Sequence, residues 1–531
     1  MKPTEFDAFL TTETDTATSI PSSASSFCVD VLVFGDEVES ILTAVSAARA
    51  GASVLLARRS MGRLGGLSVR GGLSYMDITP EFISGLFGEF LNRSGVVRVA
   101  LNPQQAHDAL AMLLKEAGVL VLSGIMDKSV SLNNDDGPEQ AVLKTENRDF
   151  LVNPAIVIDA TPDADVARAL GIPYIEGLGG VLGSDQNFLG ISPVFRIDGV
   201  STEGLQAFEA SLRARPTVLQ TLKAALPYHP ASLREAYVTR PTFCPPDMDY
   251  LDILNPLIGI DYHTWKGQDA ASYDTAGIFI DGGNISRLQD GSLGFNGLVA
   301  QAAALNLGLP QLLAYSAEAE IPCALQEEMA LFQRYLKEAA GFSCAEIIAP
   351  EALYVRQTVT LLSRRNMTAR QMLLGGVPPE EAVGSFSYWL DLRGTQLWKR
   401  FPGEELPKPV FNIGLNVALP AQGASRRTLE NFAFVGRSAG YSPIGQGAGR
   451  IVQHNALLGE ALGMAAAMAA RQKTPLSLIA NQQVSAIRQA LAKRWGQPVK
   501  TAGLVSDNAA NWSASELLRR DDAAIEQLQA Y

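Results

Sequence analysis

The sequence predicts an α/β protein whose first domain is built on a parallel β-sheet, and three observations lead to this fold class. A short apolar run at 29–34 is typical of a strand that is buried on both faces. Apolar residues follow at helical spacing in 38–50, and a second apolar run comes at 53–57. Strand, helix and strand form a unit of about 30 residues, and such units pair their strands in parallel with a right-handed crossover.

Further elements extend this pattern along the chain. Helices are expected at 104–117, 447–470, 476–495 and 514–529, strands at 119–123, 155–160 and 432–435, and a hairpin at 129–143 around the turn residues 133–137. The strand and long helix near residue 440 return to the pattern of the first unit. We therefore expect a Rossmann-like dinucleotide-binding domain that is discontinuous in sequence.

The middle of the chain differs from both ends. It contains more Pro, Tyr and Trp, mixed helices, and extended stretches at 353–361 and 384–392, which favour an inserted α+β substrate domain. The predicted organisation is a flexible tail at 1–27, the first segment of the nucleotide-binding domain at 28–170, the inserted domain at 171–420, the second segment of the nucleotide-binding domain at 421–472, and a C-terminal helical tail at 473–531.

Composition narrows the classes of function. The net charge is −12, with 43 basic and 55 acidic residues, whereas nucleic acids and anionic membranes require a basic surface. There is no run of about 18 apolar residues, so we expect no transmembrane segment. The Ser- and Thr-rich start is unlike a secretory or transit peptide, so a cytoplasmic location is expected.

The cysteines and histidines show no metal-site or disulfide pattern. The four cysteines, Cys28, Cys244, Cys323 and Cys344, have neither CxxC spacing nor the density of a disulfide framework. We expect ordinary buried thiols in a reducing compartment. The four histidines do not cluster with cysteines or carboxylates, so no metal is predicted.

The loop after the first strand carries the first chemical signal. A dinucleotide pyrophosphate lies at the N-terminus of the first helix, where free N–H groups and the helix dipole favour negative charge. The usual loop is Gly-x-Gly-x-x-Gly. Here Gly35 is the first glycine, Glu37 stands at the second position, and Ser40 stands at the third. Asp36 and Glu39 add further carboxylates, and each like-charge contact at about 4 Å costs about 1–4 kcal/mol.

A second departure follows at the end of the second strand. An acidic residue normally binds the ribose hydroxyls there, but this chain has Arg58 and Arg59. This segment alone leaves open a βαβ unit that binds no nucleotide. The exchange of charges also suggests that Arg58, Arg59 or Arg437 neutralises Asp36 or Glu37.

Three more stretches, together with 30–59, carry a resemblance to a known family. They are the Leu-Gly-Gly loop within 63–72, the Ala-Thr stretch within 158–165, where Pro162 replaces a glycine, and the segment 431–449 with its Gly-rich turn. In this order they resemble FAD-dependent oxidoreductases of the glutathione-reductase-2 and FAD-oxidoreductase type. The resemblance implies an FAD/NAD(P)-binding fold with non-covalent FAD. It assigns cofactor binding to Gly35, Asp36, Glu37, Ser40, Arg58, Arg59, Leu64, Gly65, Gly66, Ala160, Thr161, Gly436, Arg437, Gly445, Gln446 and Gly447.

The inserted domain also resembles this family, at 353–357 and 385–393. Arg356 and Arg393 are candidates to bind a substrate carboxylate, because a guanidinium makes bidentate hydrogen bonds to carboxylates. Ordinary ion-pair arginines are the alternative. His454 is a candidate proton donor or a core histidine, and Tyr75 is a candidate on the substrate side. A helix N-terminus at 445–449 would stabilise the negative charge of a reduced flavin.

The sequence thus favours an FAD-dependent oxidoreductase that acts on an unidentified small molecule, such as a carboxylate, by hydride transfer to or from flavin. The alternative is a flavoprotein-like fold that has lost FAD and serves as a binding or scaffold protein. Glu37, Arg58 and Pro162 motivate this alternative, because all three depart from the family pattern at cofactor contacts.

Overall fold

The structure is a computed structural model that describes most of the chain. The described residues are 18–19, 26–96, 99–132, 138–183, 187–225, 235, 250–251, 257–269, 276–281, 285–317, 320–401, 408–423, 429–502 and 515–530. The turn 133–137, Cys244 and most of the tail at 1–27 lie outside them.

Twenty-one strands and seventeen α-helices are found in these residues. The strands are β1 Thr18–Ser19, β2 Ser26–Phe34, β3 Val54–Ala57, β4 Leu120–Leu122, β5 Asp127–Leu132, β6 Pro138–Lys144, β7 Asp149–Asp159, β8 Tyr174–Glu176, β9 Ile191–Ser192, β10 Phe195–Asp198, β11 Tyr250–Leu251, β12 Ile278–Ile280, β13 Ile285–Arg287, β14 Leu293–Phe295, β15 Leu298–Ala300, β16 Glu346–Ile348, β17 Tyr354–Val355, β18 Val359–Leu361, β19 Ala382–Ser387, β20 Val410–Gly414 and β21 Phe432–Phe434. The helices are α1 Val38–Arg49, α2 Gly66–Val69, α3 Gly85–Arg93, α4 Pro103–Ala117, α5 Asp165–Ala169, α6 Thr202–Arg213, α7 Pro216–Ala225, α8 Leu257–Trp265, α9 Leu309–Ala317, α10 Cys323–Glu338, α11 Ala369–Leu373, α12 Leu397–Arg400, α13 Gln446–Gly449, α14 Val452–Gln472, α15 Leu476–Gln482, α16 Val484–Trp495 and α17 Glu516–Gln529.

The main sheet confirms the predicted α/β, Rossmann-like fold. Its strand order is β1-β4-β3-β2-β7-β6-β5, and β21 also pairs with β7. The strand β2 runs parallel to both neighbours, with Val31 opposite Val54 on one side and Ile156 on the other. The strand β21 is parallel to β7, so a segment from the end of the chain joins the first domain's sheet. The predicted hairpin is the antiparallel pair β5 and β6.

Helix α14 binds the two ends of the chain together by packing closely on α1. A Cβ on Gly463 would lie 2.3 Å from the carbonyl oxygen of Thr43, and one on Gly459 would lie 2.3 Å from Thr43 Oγ1. Ser46 in turn donates a hydrogen bond to the carbonyl oxygen of Glu460 at 2.6 Å. Only glycine allows the two helix backbones to approach this closely. The contact fixes the N-terminus of α14 relative to that of α1.

The prediction of one continuous helix at 447–470 is wrong. Residues Arg450 and Ile451 separate α13 from α14, and Ile451 has extended backbone angles of φ −70° and ψ 137° as the N-cap of α14. The Asn455 side chain stabilises this break by donating hydrogen bonds to the carbonyl oxygens of Gly449 at 2.8 Å and Ile451 at 3.2 Å. The predicted helix at 476–495 is likewise divided at Gln483, into α15 and α16.

Two larger hydrophobic cores lie in the described chain. The first combines the main sheet with α1, α14 and the C-terminal helices, and it also contains side chains from Val359 to Leu419. The second contains aromatic residues of the middle segment, including Phe195 and Phe332. The five-stranded sheet β11-β13-β14-β10-β16 covers this second core. The expectation of buried thiols is wrong for Cys28, Cys323 and Cys344, because all three are exposed.

Asp521 of α17 holds the Gly-rich turn in place. Its carboxylate is fully buried and accepts hydrogen bonds from Ser442 Oγ at 2.5 Å, Ile444 N at 2.8 Å and Ala369 N at 3.1 Å. Burial raises the pKa of this carboxyl group to about 6, and the three donors oppose the increase. The C-terminal helix therefore supports the turn that precedes α13.

We expect Asp521→Ala to lower the free energy of unfolding by about 2–4 kcal/mol, because it leaves buried donors without an acceptor. Asp522→Ala is the matched control. Asp522 pairs with Arg370 at 2.5 Å near the surface, and loss of such a pair costs about 1 kcal/mol or less. Urea denaturation of both variants measures the difference, and equal losses would contradict the role of Asp521.

Candidate active site

One cavity lies where the two ends of the chain meet. Counted together with its open mouth, it contains about 550 Å³ of empty space. Its walls are formed by Glu37, Glu39, Leu67, Leu73, Met76, Asp77, Pro162, Tyr354, Arg356, Arg437, Arg450, Ile451 and Val452. The first loop, the Leu-Gly-Gly loop, the C-terminal segment and β17 of the middle segment thus line a single cavity.

The turn after β2 depends on Gly35. This residue has φ +126°, and a Cβ there would lie 2.3 Å from the carbonyl oxygen of Ala160. Ser40 donates a hydrogen bond to the same carbonyl oxygen at 2.8 Å. The predicted residues Gly35, Ser40 and Ala160 therefore come together as the contact between the turn and β7. Next to them, the Thr161 hydroxyl donates to Asp159 at 2.6 Å.

Asp36 is neutralised by two arginines. Its carboxylate lies 3.2 Å from Arg58 Nη2 and 3.0 Å from Arg70 Nη2, and both Asp36 and Arg58 are buried. Arg58 also donates to the carbonyl oxygens of Gly62 at 2.6 Å and Arg63 at 3.1 Å. Arg58 thus takes the neutralising role suggested by the exchanged charges, whereas Arg59 is exposed.

The Leu-Gly-Gly loop lies directly against the first loop. Gly65 N donates to the carbonyl oxygen of Asp36 at 3.0 Å, and Leu64 N donates to His107 Nδ1 at 3.0 Å. Gly65 has φ +104° and Gly66 has φ +42°. Glycine adopts this left-handed backbone without strain, and Gly66 has no side chain of its own on the side that faces α1.

The Glu37 side chain occupies the space that a side chain at residue 66 would need. A Cβ on Gly66 would lie 2.2 Å from Glu37 Cδ, and the Glu37 carboxylate accepts a hydrogen bond from Leu67 N at 2.8 Å. Burial, together with the charges of Glu39 and Asp36, raises the pKa of Glu37 to about 8, although the Leu67 N–H and the charge of Arg437 oppose the increase. The carboxyl group therefore occupies the position next to the helix N-terminus.

Glu39 is a second carboxyl group in the same wall. It is 7% exposed, and its Oε2 is buried without a hydrogen-bond partner. Burial raises the pKa of Glu39 to about 7, against the opposing charge of Arg437. Its Oε1 lies 3.5 Å from where a Cβ of Gly436 would be. Glu39 thus faces the C-terminal segment from α1.

Arg437 pairs with Asp163 rather than with Glu37. The distance between Arg437 Nη2 and Asp163 Oδ1 is 2.7 Å, and Ser316 Oγ is 2.8 Å from the same nitrogen. The guanidinium also donates to the carbonyl oxygens of Pro162 and Val355. Arg437 therefore joins the C-terminal segment to the end of β7 and to the middle segment.

The predicted residues of the Gly-rich turn do not line the cavity themselves. Gln446 is fully buried, donates to the carbonyl oxygen of Arg437 at 2.5 Å, and accepts from Gln357 at 2.5 Å. A Cβ on Gly447 would lie 2.7 Å from Asp391 N, and Gly445 N donates to Ser442 Oγ at 3.0 Å. The cavity wall is instead formed by Arg450, Ile451 and Val452 at the N-terminus of α14.

The two predicted substrate arginines meet at Asn296. Arg356 Nη2 donates to Asn296 Oδ1 at 3.2 Å, and Arg393 Nη2 donates to the Asn296 carbonyl oxygen at 2.8 Å. Arg393 also pairs with Asp281 at 2.9 Å. Of the two arginines, Arg356 is the one in the cavity wall.

His454 and Tyr75 are not among the residues that form the cavity wall. His454 is fully buried, with Nε2 3.1 Å from Tyr441 OH and with the rings of Phe386 and Phe411 at 5.5 Å. Burial lowers the pKa of His454 to about 3, so the ring is neutral at physiological pH. Tyr75 forms an isolated bridge with Ala100, while Met76 and Asp77, which follow it, line the cavity.

A polar cluster that the sequence did not single out lies near Arg356. Arg450 donates to Tyr354 OH at 2.6 Å and pairs with Asp391 at 2.5 Å. Asp77 is hydrogen-bonded to Tyr388; burial raises the pKa of Asp77 to about 6, while Tyr388 and Arg450 oppose the shift. The only sequence signal was the position of Arg450 directly after the Gly-rich turn. Among the described residues, no group of His, Cys, Asp or Glu could hold a metal ion.

The Rossmann-like sheet and the cavity that joins both ends of the chain define a dinucleotide-binding protein of the flavoprotein class. A family model described as FAD dependent oxidoreductase matches residues 30–491. The chain belongs to this family, and FAD is its cofactor. No helix in the described residues is long and apolar enough to cross a membrane.

Comparison with individual proteins gives only distant likenesses. No curated protein matches the chain. The structure of THI4 from Thermovibrio ammonificans is similar at 19% identity and a TM-score of 0.23, over 28% of this chain and 64% of that one, less than two thirds of its length. A geranylgeranyl bacteriochlorophyll reductase-like protein from Thermoplasma acidophilum has 11% identity and a TM-score of 0.37, over 95% and 90% of the two chains. The p-nitrophenol 4-monooxygenase PnpA from Pseudomonas putida DLL-E4 has 9% identity and a TM-score of 0.40, over 95% and 96%.

The polar groups that line the cavity are compatible with FAD on one condition. Glu39 Oε2 and Arg450 Nε are buried without partners, and both residues line the cavity, as expected where a polar ligand completes the hydrogen bonding. The Gly66 backbone offers the close approach that a phosphate requires. The condition concerns Glu37, whose carboxyl group fills that approach. Gly66, Leu67 and Arg437 are the residues that would hold the cofactor's diphosphate.

Proposed function

We propose that this protein is an FAD-dependent oxidoreductase that transfers a hydride between flavin and a small substrate bearing a carboxylate. The observation that supports this most directly is the make-up of the cavity. Glu37 and Arg437 of the nucleotide-binding half line the same cavity as Arg356 and Arg450. Cofactor and substrate groups can therefore meet within it.

Arg356 is the residue that suggests an anionic substrate. It is 1% exposed and donates to the carbonyl oxygen of Gly190 at 2.7 Å, Ser192 Oγ at 2.9 Å and Asn296 Oδ1 at 3.2 Å. All three acceptors are neutral, and no ion pair of Arg356 is found within the described chain. Burial lowers the pKa of Arg356 to about 10, so it is still charged at pH 7. A buried cation without a carboxylate partner attracts an anionic ligand.

Tyr354 and Arg450 complete the anion site. The guanidinium carbon of Arg356 lies 4.3 Å from the centre of the Tyr354 ring. Arg450 donates a hydrogen bond to the hydroxyl of that tyrosine. Stacking and hydrogen bonding fix the direction of both side chains. A carboxylate bound by Arg356 is thereby oriented within the cavity.

Asp77 is our candidate for the group that accepts a proton from the substrate. Its carboxyl group lines the cavity and is hydrogen-bonded to Tyr388. With its pKa raised to about 6 by burial, Asp77 is ionised at pH 7 yet closer to neutrality than an exposed aspartate. When bound, FAD accepts or supplies the hydride. Asp77 takes up the proton that leaves a substrate hydroxyl or amine when it is oxidised.

One observation favours the second candidate function, a binding or scaffold protein without FAD. The Glu37 carboxyl group occupies the approach to Gly66 that a diphosphate would use. A fold that had lost its cofactor could retain such a side chain at no functional cost.

Spectroscopy of the purified protein distinguishes the two functions. We expect FAD to bind and give the visible absorption of oxidised flavin, and we expect a panel of small hydroxy and amino acids to contain a compound that bleaches it under anaerobic conditions. The matched amides or alcohols, which lack the carboxylate, should bleach it far more slowly. A colourless protein that ignores added FAD would support the scaffold. Equal bleaching by charged and uncharged members would refute the anionic substrate.

A further inference from the structure

Glu37 stands at an unusual position for a carboxylate. It is the N-cap residue of α1, yet its side chain makes no capping hydrogen bond to that helix. The carboxylate turns instead across Gly66 and accepts the Leu67 N–H at 2.8 Å. It thereby uses a backbone donor at the place where the loop approaches the helix N-terminus, which is the geometry that binds phosphate in this fold.

No cation forms an ion pair with Glu37 in the described residues. From its own turn it faces Asp36, which is already paired with Arg58 and Arg70, and from α1 it faces Glu39. From the C-terminal segment it faces Arg437, whose hydrogen bonds go to Asp163, Ser316 and two carbonyl oxygens. From α2 it accepts the Leu67 N–H and lies against the backbone of Gly66, and neither of these groups is charged.

An ionised Glu37 and a diphosphate exclude one another. Both are anions, and both would take the same backbone donor, Leu67 N–H. A protonated Glu37 lacks the charge, and its O–H can donate a hydrogen bond to a phosphate oxygen. We propose that Glu37 is a proton-controlled gate on the pyrophosphate site, so that FAD binding takes up a proton from solvent; this inference rests on the proposed function.

The sign of the pH dependence follows from the raised pKa values. In the free protein the pKa of Glu37 is about 8 and the pKa of Glu39 is about 7. A bound diphosphate raises both pKa values further, because its negative charge disfavours the carboxylate forms. Below these values both groups are protonated with or without FAD, so the Kd does not change with pH. Above them binding must add a proton, and the Kd increases. With one proton taken up and a free-state pKa of about 8, the Kd increases by up to about tenfold between pH 7 and pH 9.

Titration of FAD into the apoprotein from pH 5.5 to pH 9, followed by quenching of flavin fluorescence, tests the gate without any turnover. Wild type should show an increase in Kd that approaches about tenfold between pH 7 and pH 9. Glu37→Gln keeps the size and supplies a donor that does not titrate, and Glu37→Gly removes the side chain. Both variants should lose the increase attributed to Glu37 and should bind FAD at pH 9 up to about tenfold more tightly than wild type. Glu39→Gln measures any contribution of the second carboxyl group, and circular dichroism at each pH confirms folding.

The outcomes separate this inference from the proposed function. A wild type that binds FAD with the same pH profile as Glu37→Gln overturns the gate and leaves the oxidoreductase function intact. Binding by Glu37→Gly alone, with none by wild type at any pH, also overturns it, because protonation would then not open the site. If neither wild type nor any variant binds FAD, the proposed function itself fails.

Discussion

Replacing Gly35 by alanine is expected to cost about 3–5 kcal/mol of unfolding free energy and to abolish FAD binding. Gly35 has φ +126°, and its new methyl group would lie 2.3 Å from the Ala160 carbonyl oxygen and 2.6 Å from Ser40 Oγ. Both neighbours are fixed, one by the β7 backbone and the other by its hydrogen bond to that backbone. The turn must therefore move, and with it the N-terminus of α1.

Gly51 offers a matched control for this prediction. It also has a left-handed backbone, with φ +97°, but a Cβ there meets nothing within 4 Å. Gly51→Ala should cost only the backbone strain of about 1–2 kcal/mol and should leave FAD binding unchanged. Chemical denaturation and an FAD titration of both variants make the comparison. Equal stability losses would show that the contact with Ala160 has no part in the effect.

Replacing Arg356 by methionine is expected to lower kcat/KM for a carboxylate substrate by about 100- to 1000-fold. Removing one partner of a buried, hydrogen-bonded charge pair costs about 2–5 kcal/mol, and each 1.36 kcal/mol is a factor of ten in rate. The loss should appear mainly in KM if Arg356 only binds, and in kcat as well if it orients the substrate. Arg356→Lys keeps the charge but not the planar fork, so it should recover part of the loss.

Arg393→Met provides the contrast. Arg393 shares Asn296 with Arg356 but is neutralised by Asp281, so its removal should affect activity much less. The uncharged substrate analogue gives a second readout, since it should react equally slowly with wild type and Arg356→Met. If Arg393→Met lost as much activity as Arg356→Met, a general disturbance around Asn296 would explain both.

The fold could be predicted from the sequence because the patterns that indicate it lie within short segments of the chain. The first βαβ unit, from Ser26–Phe34 to Val54–Ala57, shows its apolar runs and helical spacing directly. The break at Arg450 and Ile451 was not visible, since the side chain that stabilises it, Asn455, lies beyond the break and is a residue that helices also accept. Secondary-structure patterns carry no information about such a specific capping contact.

Only part of the candidate site could be predicted from the sequence. The sequence indicated that Glu37 replaces a glycine, but not that its carboxyl group would turn onto Leu67 N, because this depends on the path of a loop 30 residues later. The neutralisation of Asp36 by Arg58 followed from charge alone. Asp77 and Tyr354 were missed because each is an ordinary residue in sequence, and the cavity brings them together from distant segments.

The contact between Asp521 and the Gly-rich turn has a consequence for how the protein is made. Strand β21 and Asp521 both come late in the chain, yet the first supplies a strand to the main sheet and the second fastens the turn behind the cavity. The ribosome must therefore translate past residue 521 before the cleft is complete. We therefore expect FAD to bind only after nearly all of these 531 residues have been synthesised.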